Sequence, residues 1–222
     1  MLKTLEDIGR VVRNAMLFNP RNWRNEATMD FAVGHSPVEA VEHLFALLEA
    51  RKIDYVLVGG VALLYYVEGR NTQDLDLVLA VEDLDKLPEI EIVERDVCFA
   101  RGEFEGVRID FLLTNNPLFR RVQAEYATRV AFLGQEVSLG TMEGLLLLKM
   151  YALPSLYRPG DFGWVSLYES DIAALVYKYD PDVERLLDVV GEYVGEGDRA
   201  SLRDIVMEIN QRVRRFKKEW GG

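Results

Sequence analysis

Three aspartates and a pair of glycines carry the residue types and spacing that chemistry on phosphates requires. Asp74 and Asp76 lie two residues apart in Asp74-Leu-Asp-Leu-Val-Leu-Ala80. The alternation and apolar tail of that segment predict a strand, so both carboxylates project to one face. Two carboxylates that close repel unless a cation lies between them. Mg²⁺ is the economical cation, because it takes oxygen ligands and bridges to substrate phosphates. The plain alternative is a solvated strand end, which the apolar run from Leu77 to Ala80 argues against. Asp110 is a third acid, inside the apolar strand Val107-Arg-Ile-Asp-Phe-Leu-Leu113. If the two strands pair, three carboxylates converge as two-metal phosphoryl chemistry needs, and Asp110 can also take the nucleophile's proton. Judged alone, Asp110 reads equally well as an edge-strand acid facing water. Relief of charge repulsion predicts that Asp76→Asn leaves the ligand-free protein as stable or slightly more so.

Gly59-Gly60 breaks the short apolar strand Asp54–Val58 and opens a helix over Val61–Val67. Glycines let a ligand approach the backbone, and the helix presents free N–H groups with a positive dipole end. Together they make a phosphate seat; by itself the pattern is also that of a tight strand-to-helix turn. No Gly-Lys-Ser/Thr follows, so this is not a P-loop.

From Leu57 to Leu79 the chain resembles the polymerase-beta-type nucleotidyltransferases. Leu57-Val-Gly-Gly-Val-Ala-Leu63, a helix, and Arg70-Asn-Thr-Gln-Asp-Leu-Asp-Leu77 carry the likeness. It is closer to the AbiEii-type nucleotidyltransferase toxins and their relatives, where a Gly-Gly-x-Ala turn precedes Arg-x-Thr-x-Asp-hydrophobic-Asp. The resemblance implies that Gly59 and Gly60 bind a triphosphate, with Arg70 and Thr72 beside them. It makes Asp74, Asp76 and Asp110 the Mg²⁺ ligands. Glu143 to Ala152 looks like the family's lysine-bearing helix, with Lys149 on a phosphate; read by itself, Lys149 is also a helix-end lysine reaching water. Arg158 and Asp171-Ile-Ala-Ala-Leu175 look like later family elements, and Tyr168 stands where the family often has a further aspartate. The implied function is transfer of a nucleotidyl group from an NTP to RNA or protein, as the toxin of a toxin–antitoxin pair with an antitoxin protein as partner. The other reading is a catalytically weak or inactive nucleotide-binding or interaction module of the same fold.

The elements that position these residues predict an α/β (α+β) chain: a nucleotidyltransferase-like mixed-sheet domain over 37–139, then a helical domain over 140–222. Residues 1–36 read as an N-terminal helical segment broken at Asn19-Pro20. Ser36-Pro37-Val38-Glu39 predicts a capped helix start, and strands are expected over Glu91–Val97 and in a hairpin turning at Gly134-Gln135. Helices are expected over Met142–Leu153, Leu167–Tyr177, from Asp180-Pro181, and from Ser201 to Trp220, with a loop over 154–166. Ligand sites favour domain interfaces, so the cleft between the two domains is the expected site.

The 222 residues carry a net charge of −11, which argues against a general nucleic-acid binder. A single cysteine, Cys98, excludes an internal disulfide, and its apolar neighbours predict a buried thiol. The first residues lack the apolar core of a signal peptide and no run is long enough to span a membrane, so a cytoplasmic protein is expected. His35 and His43 read as structural. Trp164, Tyr151 and Tyr157 read as core or as base-stacking rings. The cations Arg212, Arg214, Arg215, Lys217 and Lys218 read as a solvated helix end or as a contact to RNA or an acidic partner.

Overall fold

The computed structural model describes residues 37–68, 72, 74–132, 135–158, 160 and 162–220. The N-terminal helical segment, His35, the Ser36 cap, Arg70 and the Gly134 turn position lie outside the described residues. The chain divides into two compact units, with the boundary between Gly140 and Thr141.

The first unit is built on a seven-stranded mixed sheet. In chain order its elements are α1 (Pro37–Ala50), β1 (Tyr55–Val58), α2 (Gly59–Tyr66), β2 (Leu75–Leu79) and the short α3 (Val81–Leu84). There follow β3 (Glu91–Arg95), β4 (Phe99–Phe104), β5 (Val107–Leu113), α4 (Pro117–Glu125), β6 (Ala127–Phe132) and β7 (Gln135–Gly140). The strand order is β3-β4-β5-β2-β1-β7-β6. β1 runs antiparallel to β2, and β2 runs parallel to β5.

A strand covered on both faces reads as a continuous apolar run, and β1, buried throughout, is one. Register sorts the residues by face. Leu57, Leu77 and Phe111 are lateral neighbours on one face, and Val58, Asp76 and Asp110 on the other. α1 covers the first face with Leu44, Phe45 and Leu48, all fully buried; the Phe45 ring stacks on Tyr55 at 5.7 Å. On the second face Phe99 meets Phe119 of α4 edge-on at 5.3 Å. That covering stops short of the end that holds Asp76 and Asp110, both half-buried.

The second unit is helical: α5 (Met142–Tyr157), α6 (Phe162–Tyr179), α7 (Val183–Gly191) and α8 (Glu196–Trp220). Thr141 caps α5 by accepting from the Gly144 N–H. The expected loop over 154–166 is corrected: α5 continues one turn through Pro154, and α6 begins at Phe162. Proline disfavours the helix interior, but near the C-terminal end few hydrogen bonds are at stake. α8 also starts before Ser201, with Glu196 and Asp198 in its first turn, where acids complement the helix dipole. β4 and α4 were not foreseen. Gln135 belongs to β7 rather than to a turn. Cys98 is half-exposed between β3 and β4, not buried. No described helix is long and apolar enough to cross a membrane.

Candidate active site

Gly59 turns the chain from β1 into α2 with φ +63°, a left-handed value that favours glycine. A Cβ on this residue would lie 1.8 Å from Asp76 Oδ2. The space that glycine leaves open is therefore filled by the chain's own carboxylate. The Gly60 N–H faces the same oxygen at 3.4 Å. That is long for a hydrogen bond, so the attraction is chiefly that of an anion for the positive end of α2.

Asp76 is the antiparallel partner of Val58 and the parallel partner of Asp110. The two carboxylates thus stand side by side on one face, on strands about 4.8 Å apart. Their place is beside the C-terminal end of β1, at the N-terminal end of β2 and midway along β5, because β2 runs against β1. Asp74 sits in the bend just before β2. The Thr72 hydroxyl lies 3.5 Å from the Asp74 carbonyl oxygen. The fold brings together Gly59, Gly60, Asp76 and Asp110, with Asp74 and Thr72 at the edge of the group.

Two arginines enter this constellation. Arg101 on β4 is the cross-strand partner of Asp110; its Nε donates to Oδ1 at 2.7 Å and its Nη2 reaches Oδ2 at 3.5 Å. The hydrogen bond to Asp110, and then the charge of Asp110, hold the Arg101 pKa above its usual value. Arg108 on β5 places Nη1 3.6 Å from Asp74 Oδ1. The carboxylates are therefore already compensated in the free protein by two guanidinium groups and a helix end. At Asp76 the Gly60 N–H and the positive end of α2 oppose the repulsion on which a stabilising Asp76→Asn would rest. Arg108 was legible in the sequence, since it lies two residues before Asp110 and so shares its face.

The donors here are all carboxylate oxygens, a set that suits Mg²⁺. Among the described residues, no three carboxylate, histidine or cysteine side chains are gathered closely enough to hold a metal as they stand.

Lys149 belongs to the second unit. It does not reach water: its Nζ is buried 2.9 Å from Asp171 Oδ2 and 3.7 Å from the centroid of the Tyr168 ring. Tyr168 and Asp171 are three residues apart on α6 and share a side. The tyrosine face thus supplies a cation–π contact at the position where the resembling family often has an acid. Trp164 is exposed and meets Tyr168 edge-on at 6.4 Å. Tyr157 donates to Glu169. Of the C-terminal cations, Lys217 pairs with Asp180 at 3.3 Å.

No protein-family model and no curated protein matches the chain. Solved structures do. The antibiotic-resistance factor ANT(2″)-Ia, in its solution structure, is 14% identical over 80% of this chain and 96% of its own, with a TM-score of 0.50. An antigenic nucleotidyltransferase-like protein from Paracoccidioides brasiliensis is 18% identical over 75% of this chain and 90% of its own, with a TM-score of 0.47. The likeness to ANT(2″)-Ia is one of fold: the two share a mixed α/β architecture.

Proposed function

We propose that this chain is a Mg²⁺-dependent nucleotidyltransferase that moves a nucleotidyl group from an NTP to an acceptor hydroxyl or phosphate. One juxtaposition carries the reading: Asp76 and Asp110, in register on β2 and β5, open beside the Gly59-Gly60 turn. Asp74, Asp76 and Asp110 would hold Mg²⁺, which when bound draws charge from the phosphates. Gly59 and Gly60 admit the triphosphate to the first turn of α2, and the family resemblance assigns Arg70 and Thr72 to nucleotide binding. Asp110 takes the proton of an acceptor hydroxyl as its oxygen attacks the α-phosphorus. A new oxygen–phosphorus bond forms, the bond to the bridging oxygen breaks, and pyrophosphate leaves. Lys149 is assigned to a phosphate on the family resemblance; in the free protein its charge rests on Asp171 and Tyr168. The same resemblance gives an RNA or protein acceptor and a toxin's role with an antitoxin partner. The acidic chain favours a protein acceptor over tRNA.

The test is incubation with each α-labelled NTP, Mg²⁺ and total cellular RNA and protein. Label should move covalently to an RNA or protein band, only with Mg²⁺, and not with Asp76→Asn or Asp110→Asn. A second reading keeps the fold without turnover, and the arginines paired to Asp110 and Asp74 favour it. Nucleotide binding with no label transfer from any NTP would establish that reading.

A further inference from the structure

We propose that Arg101 is a resident counter-ion for Asp110, which a divalent cation must displace to load the site. The inference rests on the nucleotidyltransferase reading and names the residue that sets its metal affinity.

Three observations carry it. Arg101 faces Asp110 directly across the β4–β5 ladder, so the strand pairing itself holds the two opposite each other. The guanidinium engages both carboxylate oxygens, at 2.7 and 3.5 Å, the atoms a cation would need. The pair is also accessible: the Arg101 side chain is 48% exposed and that of Asp110 29%. Exposed ion pairs are weak and open readily. A buried pair such as Lys149–Asp171 does not. Glu94 Oε2 lies 3.6 Å from Arg101 Nη1 and gives the released guanidinium an anionic place to go. The exchange needs no proton: one cation leaves a carboxylate and another arrives.

The measurement is Mn²⁺ binding to the full chain, followed by electron paramagnetic resonance without nucleotide, in wild type, Arg101→Gln, Arg101→Lys and Asp110→Asn. Removing one positive charge a few ångströms from the metal position should tighten Mn²⁺ binding by about five- to tenfold in Arg101→Gln. Arg101→Lys keeps the charge and should stay near wild type, and Asp110→Asn should lose binding. In wild type itself, the Arg101 Nε–H resonance should move when Mg²⁺ and ATP are added together, which tests the exchange without any substitution. An unchanged or weaker affinity in Arg101→Gln, with an unmoved Arg101 resonance, overturns the counter-ion role and leaves the nucleotidyltransferase reading standing. Absence of Mn²⁺ binding in both wild type and Arg101→Gln, with or without ATP, overturns both.

Discussion

Gly59 shows how a single residue serves geometry before chemistry. Its φ is left-handed and its missing side chain is replaced by the Asp76 carboxylate. Two separate costs therefore attach to Gly59→Ala: backbone strain and the displacement of Asp76. Gly106 separates them, because it also has a positive φ, +81°, yet nothing lies within 4 Å of where its Cβ would be. Gly106→Ala should cost about 1 kcal/mol from strain alone. Gly59→Ala should cost clearly more, about 2–4 kcal/mol. In an Asp76→Ala background the cost of Gly59→Ala should fall back toward that of Gly106→Ala. Urea unfolding of wild type, Gly59→Ala, Asp76→Ala and the double variant gives this coupling directly, with Gly106→Ala as the reference for strain, and strictly additive costs would show that Asp76 is not what fills the space. The sequence offered Gly59-Gly60 as a ligand seat. Which atom occupies that space in the free protein was not legible, because it depends on β2 returning antiparallel beside β1, a pairing no local pattern encodes.

The elements legible in the sequence were those with an uninterrupted apolar signal. β1 is such a run, and β2 and β5 break theirs only at the charged positions Asp76, Arg108 and Asp110, so the placement of Asp76 and Asp110 came with them. β4 was not legible, because its inward positions, Ala100, Gly102 and Phe104, include two small residues, while Arg101 and Glu103 point outward. Losing β4 meant losing Arg101. α4 was missed although Asn116-Pro117 supplies a cap and a first-turn proline; Asn116 accepts from the Leu118 and Phe119 N–H groups. At the start of β1, α1 buries the Tyr55 ring, and burial pushes its phenol pKa up to about 12. The folded state then holds the proton where the unfolded chain, near pH 10, releases it. Stability from this group is fully present below about pH 10 and is lost as pH rises through 12, on the order of 2–3 kcal/mol. Unfolding curves between pH 8 and 12 should flatten in Tyr55→Phe relative to wild type. In the helical unit, the Lys149–Asp171 pair joins α5 to α6 out of water. Lys149→Met should destabilise by about 3–5 kcal/mol because it strands a buried carboxylate, while Lys149→Met with Asp171→Leu should recover most of that loss. A Lys149→Met protein with wild-type stability would mean the lysine is held for a ligand alone.

At the scale of the whole molecule, the proposed function asks a chain of net charge −11 to bind an anionic nucleotide. Long-range repulsion opposes that encounter, so the local arrangement has to reverse the sign. In the free protein the positive groups near the acids are already engaged: α2's N-terminus by Asp76, Arg101 by Asp110, and Arg108 near Asp74. Metal or nucleotide alone must break these contacts without replacing them, whereas the two together supply a cation for the carboxylates and anions for the freed positive groups. Binding should therefore be strongly synergistic. A ligand held only by the folded state stabilises it by mass action, by roughly 2.7 kcal/mol at a hundredfold excess over its dissociation constant. For a chain of this size that is a rise in melting temperature of roughly 5–10 °C. The rise should appear with Mg²⁺ and NTP together and be much smaller with either alone. Asp76→Asn should abolish most of the synergy. It should also make the ligand-free protein slightly less stable, by about 0.3–1 kcal/mol, because an amide interacts less well than a carboxylate with the positive end of α2. Differential scanning fluorimetry of the two proteins under the four ligand conditions reads both effects. An Asp76→Asn protein that melts higher than wild type without ligand would show that repulsion among the aspartates outweighs their partners.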